Sequence, residues 1–284
     1  MLPAKFACER RVCNMFLRNK DKILIAALTL LFFTGSTIGW LVMHQEVLLL
    51  SLTMVLGLLL TVQIENYRRI RYRLQQSYQQ IESLIYLFST LKFRHPLPPM
   101  RGWAISPEFA NILISLIRER KPRLVLEMGS GVSTLVTAYC LQEIGAGAVV
   151  SLDHDELFAA ISAADIVKHQ LQGTATIIYA PIKEVAIGDK KWLWYDMKRL
   201  QNLEPIDMLI IDGPPGSIQR LARYPALPIL FHLLSDDAIV ILDDAFRKDE
   251  REIVKLWLKE LGGFSLEEIE TEKGAAILRR QKAA

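Results

Sequence analysis

The stretch Arg123-Leu-Val-Leu-Glu-Met-Gly-Ser-Gly-Val-Ser-Thr-Leu135 leaves this chain the least conformational freedom. An apolar run meets Glu127, turns through Gly129-Ser130-Gly131, and enters helix-forming sequence through Val132, Ser133 and Thr134. Strand, tight glycine turn and helix N-terminus in that order form the opening unit of an α/β fold. Such a unit turns backbone N–H groups and a helix dipole toward a nucleotide-like ligand. A lone Gly-x-Gly is also an ordinary conformational turn, so the rest of the chain decides between the two.

Apolar strand-like runs fall at 123–128, 147–152, 174–180, 207–212 and 238–243, separated by helical patterns near 133–144, 155–171, 217–235 and 248–261. That alternation demands a parallel sheet covered on both faces. Two further strand-like runs, 265–271 and 275–280, flank Glu272-Lys273-Gly274 and close the sheet as an antiparallel hairpin. Ser106-Pro107-Glu108 is a helix start, with serine as N-cap and proline at the first helical position. Residues 101–284 therefore form one α/β domain.

What precedes that domain has another character. Residues 23–43 and 47–64 carry no charge, and each run is long enough to cross about 30 Å of hydrocarbon as a helix. They concentrate part of an apolar fraction of 51%. Only His44-Gln45-Glu46 separates them, so residues 1–64 read as a basic N-terminus followed by a transmembrane hairpin. Lys5, Arg10, Arg11, Arg18, Lys20 and Lys22 precede the first run, Arg68, Arg69, Arg71 and Arg73 follow the second, and the turn has neither lysine nor arginine. The positive-inside rule then puts both termini and the α/β domain in the cytoplasm, on a multi-pass protein of the inner (plasma) membrane. A signal anchor followed by a buried helix is the other reading of these runs. The net charge of +3 is too small to argue for nucleic acid. Cys8, Cys13 and Cys140 offer no disulfide framework and no ligand spacing.

Residues 65–93 lack glycine and proline and read as one continuous helix, stopped by His95-Pro-Leu-Pro-Pro99; residues 65–100 thus form a juxtamembrane helix and linker. Ile70, Leu74, Ser77, Ile81, Leu84, Phe88 and Leu91 follow heptad spacing. That seam suits either a homodimeric coiled coil through residues 70–91 or packing on the domain that follows.

Ligands of open α/β sheets bind beyond the carboxyl ends of the strands. Glu127, Gly129 and Gly131 fall there, as does Asp153, 22 positions after Gly131 and near the spacing of a ribose-binding acid. Asp212, in Ile211-Asp-Gly-Pro-Pro215, and Asp243-Asp244 end two more strands. Asp155 reads as a helix cap.

Taken together, these motifs resemble class I S-adenosylmethionine-dependent methyltransferases, related to the catechol-type O-methyltransferases. Val125-Leu-Glu-Met-Gly-Ser-Gly-Val-Ser-Thr134 matches the first cofactor motif and the Asp153 strand the ribose motif. The resemblance implies a Rossmann-like, mostly parallel seven-stranded sheet with a C-terminal antiparallel hairpin. It places the cofactor on Glu127, Gly129, Ser130, Gly131, Ser133, Thr134, Asp153 and His154. Ser133 stands where a third glycine would be, and Ile177-Ile-Tyr-Ala-Pro181 offers no acid for the adenine amino group.

By the same resemblance, Asp212, Asp243 and Asp244 match a magnesium-ligand set, although Asp244 replaces an amide. Oxygen ligands suit a hard cation such as Mg2+; a general base among the three, or simple caps, are the other roles open to these acids. Asp212 and Asp243 are the expected catalytic pair. Arg247 is either a holder of an anionic acceptor or an ion-pair partner, and Trp192, Trp194 and Tyr195 are either an acceptor wall or core. The expected function is O-methylation of a hydroxyl on a membrane-associated acceptor, a glycolipid, polysaccharide precursor or small molecule. A non-catalytic scaffold and a nicotinamide-dependent oxidoreductase are the competing readings, the latter disfavoured by the missing third glycine and the final hairpin.

Overall fold

The computed structural model describes residues 19–42, 45–100, 102–200 and 205–281. The basic residues Lys5, Arg10, Arg11 and Arg18, the cysteines Cys8 and Cys13, and the turn residue His44 lie outside the described residues. The chain divides into two compact units, Met1–Gln75 and Gln76–Ala284.

The first unit holds helix α1 (Asn19–Val42) and the first part of α2 (Gln45–Thr90). Arg69 of α2 stands 3.9 Å from Asp21 near the start of α1, while Gly39 near the end of α1 meets Val47 near the start of α2. The two helices therefore run antiparallel. Both are long and apolar enough to cross a membrane, and the apolar windows show no buried residues. Thr29, Thr34, Thr37 and Thr61 return their hydroxyls to backbone carbonyls one turn earlier, which hides a polar group on a helix without a polar neighbour. The second uncharged run and the connector form one uninterrupted helix of 46 residues.

In the second unit the last turns of α2 pack on the sheet domain. Leu87 and Leu91 are buried with Phe109, Leu113 and Ile117 of α3 (Pro107–Arg120), whereas Ile81 and Phe88 face outward. The expected α3 start is present: the Ser106 hydroxyl accepts from Phe109 N at 3.2 Å, and Pro107 opens the helix.

The elements that follow are β1 (Leu124–Met128), α4 (Val132–Ile144), β2 (Ala148–Asp153), α5 (Glu156–Lys168), β3 (Ala175–Tyr179), β4 (Ile182–Ile187), β5 (Lys190–Tyr195), β6 (Ile206–Ile211), α6 (Ala226–Leu230), β7 (Leu234–Asp243), α7 (Lys248–Glu260), β8 (Phe264–Ile269) and β9 (Ala275–Arg280). Seven strands make one sheet in the order β3-β2-β1-β6-β7-β9-β8, parallel except for β9 and β8. Strand periodicity feeds two cores from the same strands. Val125, Met208, Ile210, Ile239 and Ile241 join α3 and α4 on one face. Leu126, Met128, Leu209, Ile211, Val240 and Leu242 join Trp194, Leu227 and Trp257 on the other. Burial on both faces explains the uninterrupted apolar runs in the sequence.

One expectation needs correction. The helix expected over 217–235 shrinks to α6 and a short 3₁₀ turn, Phe231–Leu233. Pro225 and Pro228 remove donors, and Leu221 adopts a left-handed φ of 54°, so the residues before α6 form turns. The stretch around Trp192, to which the sequence reading assigns no strand, is the hairpin β4–β5, pairing Ile182 with Tyr195 through Ile187 with Lys190. Its signal was present in the alternation of Lys183, Val185 and Ile187 and in the turn Gly188-Asp189.

Candidate active site

The glycine turn after β1 is stitched to both neighbouring strand ends. Gly129 N donates to Leu152 O at 2.8 Å, and Asp212 N donates to Met128 O at 3.0 Å. Gly129 has φ +98°, and a Cβ there would stand 3.4 Å from Gly213 N. A side chain at this position meets backbone as well as an unfavourable dihedral. A Cβ on Gly213 would collide with the Tyr195 hydroxyl. Two glycines thus let the ends of β1 and β6 approach each other.

Glu127 ends inside the domain, fully buried. Thr134 donates to its Oε2 at 2.5 Å, and the same hydroxyl accepts from Gly131 N at 3.1 Å. Glu127 Oε1 is buried and has no partner among the described residues. Loss of hydration dominates its environment and pushes its pKa up to about 7, opposed by the hydroxyls of Ser133, Thr134 and Ser151 that face it. Ser133 therefore has a use that a third glycine would not: its hydroxyl faces the buried acid.

Asp153 is held rigidly at the end of β2. Its Oδ2 accepts from Ser130 N at 3.1 Å and Ser130 Oγ at 2.7 Å, and its Oδ1 accepts from Asp155 N at 3.1 Å. That leaves acceptor capacity on Oδ1 for a ligand hydroxyl. His154 Nδ1 lies 3.6 Å from the same oxygen. Asp155 is the expected cap, accepting from Leu157 N and Phe158 N at the start of α5.

The second half of the site is acidic. One carboxylate oxygen from each of Asp212, Asp243 and Asp244 lies within 4.8 Å of the others. Asp244 adopts φ +60°, a left-handed turn immediately after β7 that aspartate tolerates better than most residues. Asp243 Oδ2 and Asp244 Oδ1 are buried without a hydrogen-bond partner. Burial first, then the neighbouring carboxylates, raises the pKa of Asp243 well above the usual carboxylate range; Asp212 rises for the same first reason, opposed by Arg223. Orphaned, desolvated oxygens on an oxygen-only donor set fit a hard divalent cation.

Arg247, the N-cap residue of α7, places Nη1 2.8 Å from Asp244 Oδ2, so it serves the acid cluster as an ion-pair partner. Trp194 and Tyr195 are wholly buried and belong to the core, while Trp192 stacks on Tyr224 with ring centroids 4.6 Å apart. Sequence reasoning left Tyr195 between acceptor wall and core and missed Arg223 altogether, and both lie at the candidate site. Tyr195 points its hydroxyl at Gly213 between the two halves, and burial pushes its pKa up. Arg223, 3% exposed, bonds the acid cluster from below. A buried arginine gives no periodic signal, since the same letter is a surface residue almost everywhere else.

A cavity of about 700 Å³ lies elsewhere, between α2, α3 and the β8–β9 edge. None of the acids above lines it.

Residues 126–245 match a family model described as a methyltransferase domain. This part of the chain is similar to a methyltransferase domain. The matched stretch runs from β1 to the turn after β7 and so contains Glu127, the glycine turn, Asp153 and the three acids Asp212, Asp243 and Asp244. Solved structures agree in fold. A putative O-methyltransferase from Klebsiella pneumoniae is 16% identical with a TM-score of 0.52, covering 73% of this chain and 99% of that one. An O-methyltransferase from Bacillus cereus in complex with SAH is 18% identical with a TM-score of 0.51, over 71% of this chain and 90% of that one. A SAH-bound methyltransferase from Podospora anserina is 17% identical with a TM-score of 0.51, over 72% and 88%. No curated protein sequence matches the chain.

Glu127 yields a prediction with a definite sign. Its folded pKa of about 7 exceeds the reference 4.5, so the folded domain binds the extra proton. Stability at this group is therefore greatest below pH 4.5 and is lost as pH rises toward 7, by up to roughly 3 kcal/mol. Glu127→Gln is expected to raise the melting temperature at pH 8 and leave it nearly unchanged at pH 5, while weakening cofactor binding. Equal shifts at the two pH values would contradict the assignment.

Proposed function

We propose that the chain is a membrane-tethered S-adenosylmethionine-dependent methyltransferase that O-methylates a hydroxyl on a membrane-associated acceptor, such as a glycolipid or polysaccharide precursor. One observation carries the reading: the hydroxyl- and acid-lined turn of Glu127, Ser130 and Asp153 shares a sheet edge with the cluster Asp212, Asp243 and Asp244. The SAH bound in two solved structures of this fold supports the cofactor.

On this reading Gly129, Ser130 and Gly131 seat the methionine part, with Glu127 beneath it and Ser133 and Thr134 orienting the acid, while Asp153 and His154 face the ribose. S-adenosylmethionine supplies the reactive methyl on a cationic sulfonium. The protein's share of the chemistry is alignment of the acceptor and removal of its proton. Asp212, the least buried of the three acids, takes the hydroxyl proton as the oxygen gains the methyl group. Asp212, Asp243 and Asp244 would hold a divalent cation, Mg2+ by the chemistry of the donors, which lowers the pKa of the acceptor hydroxyl and orients it.

The membrane part of the reading rests on the antiparallel apolar pair α1 and α2. With the basic flanks noted above, the reading has the active site at the cytoplasmic face of the inner membrane, which the positive-inside rule supports. Confinement to that surface is the reason for an acceptor in or on the bilayer. The test is to incubate membranes containing the protein with methyl-labelled S-adenosylmethionine and fractionate the products. Label is expected in a lipid-extractable product, in a form resistant to mild base as an ether would be. Label confined to protein, or to base-labile esters, would overturn the acceptor class.

A further inference from the structure

The side chain of Arg223 is the unexpected component of the acidic half-site. It sits in the turns between β6 and α6, and its guanidinium reaches both neighbouring strand ends. Nη1 donates to the Asp243 carbonyl at 2.8 Å. Nη2 donates to the Asp212 carbonyl at 2.5 Å, to Asp212 Oδ1 at 3.2 Å and to Asp244 Oδ2 at 2.9 Å. Nε stands 3.9 Å from Glu250 Oε1 on α7. Arg247 takes Asp244 Oδ2 as well, and Lys273 approaches Asp244 Oδ1 only to 3.9 Å.

The pattern is directional. Arg223 occupies one oxygen of Asp212 and one of Asp244, and each carboxylate is thereby fixed about its own χ angles. Asp244 Oδ1 and Asp243 Oδ2 are left buried and unpartnered. A planar fork with fixed donor directions can bond two carbonyls and two carboxylates at once, whereas an ammonium is a point charge with no such geometry.

We infer that Arg223 is a positioning residue for the acid triad: its guanidinium orients Asp212 and Asp244 so that their remaining oxygens, with Asp243, converge on the cation and acceptor. This rests on the reading of the triad as the acceptor site. A purely structural tie between β6 and β7 would use the two carbonyl bonds alone. The two carboxylate bonds set the alignment of the groups that do chemistry, in the way outer partners orient metal ligands elsewhere.

The test uses the full chain in detergent micelles, with Mn2+ as the probe read by electron paramagnetic resonance. Wild-type protein is expected to bind one Mn2+, and Asp243→Asn to lose it. Arg223→Lys and Arg223→Gln are expected to weaken Mn2+ binding 10- to 100-fold, with SAH affinity by calorimetry unchanged, which also reports that each variant is folded. Retention of wild-type Mn2+ affinity in a folded Arg223 variant, when Asp243→Asn has lost it, overturns the inference. Absence of Mn2+ binding by the wild-type chain overturns the cation reading beneath it and the inference with it. If neither Arg223 variant folds, Arg223 is a structural tie and the inference fails.

Discussion

Asp243→Asn is expected to reduce methyl transfer by about 10²- to 10⁴-fold while leaving the melting temperature of the cofactor-free protein equal or higher. Both halves of that expectation come from one environment. Asp243 is 1% exposed, its Oδ2 lacks a partner, and Asp212 and Asp244 crowd it with like charge. Such a group destabilises a fold that has nothing to do with it, and replacement by a neutral amide of the same shape relieves the cost. A large loss of activity without loss of stability marks a group kept for chemistry. Steady-state turnover with a fixed acceptor, alongside thermal melts, decides it. Unchanged turnover would remove Asp243 from the site, and a collapse of stability would make it a structural acid.

The second large effect is expected at Gly129→Arg, which should abolish measurable SAH binding, a loss of at least about 100-fold. The residue sits at φ +98°, with Gly213 N 3.4 Å from where its Cβ would be, so the new side chain has no exit except into the space above the turn. That space is where the cofactor methionine belongs on the present assignment. Intact far-ultraviolet circular dichroism, with no SAH binding, is the expected pair of results, because the two cores draw on residues of β1 that point away from the turn.

The parts legible in the sequence were those with a short-range cause. Apolar runs buried on both faces announced five parallel strands, and the glycines and acids at their ends marked the candidate site that the structure gathers at one sheet edge. Ser106 and Asp155 were legible as caps for the same local reason. What stayed hidden depended on tertiary context. Arg223 acquires its place only when β6 and β7 bring distant segments together, and the β4–β5 hairpin decides where Tyr195, open between acceptor wall and core, points its hydroxyl. The expected 217–235 helix failed because buried hydrogen bonds of Arg223 and two prolines outweighed its apolar spacing. Of the heptad seam of the connector, Leu91 is buried in the domain core beside Leu87, which lies off the seam, while Ile70, Leu74, Ile81 and Phe88 are exposed.

Calorimetric titration of the full-length chain with SAH tests the central claim most directly. The account predicts one molecule bound per chain in wild-type protein, tighter at pH 8 than at pH 6 as Glu127 ionises, and no binding in Gly129→Arg. A wild-type chain that is folded and binds no SAH, or a Gly129→Arg chain that binds it as well as wild type, would contradict the placement of the site.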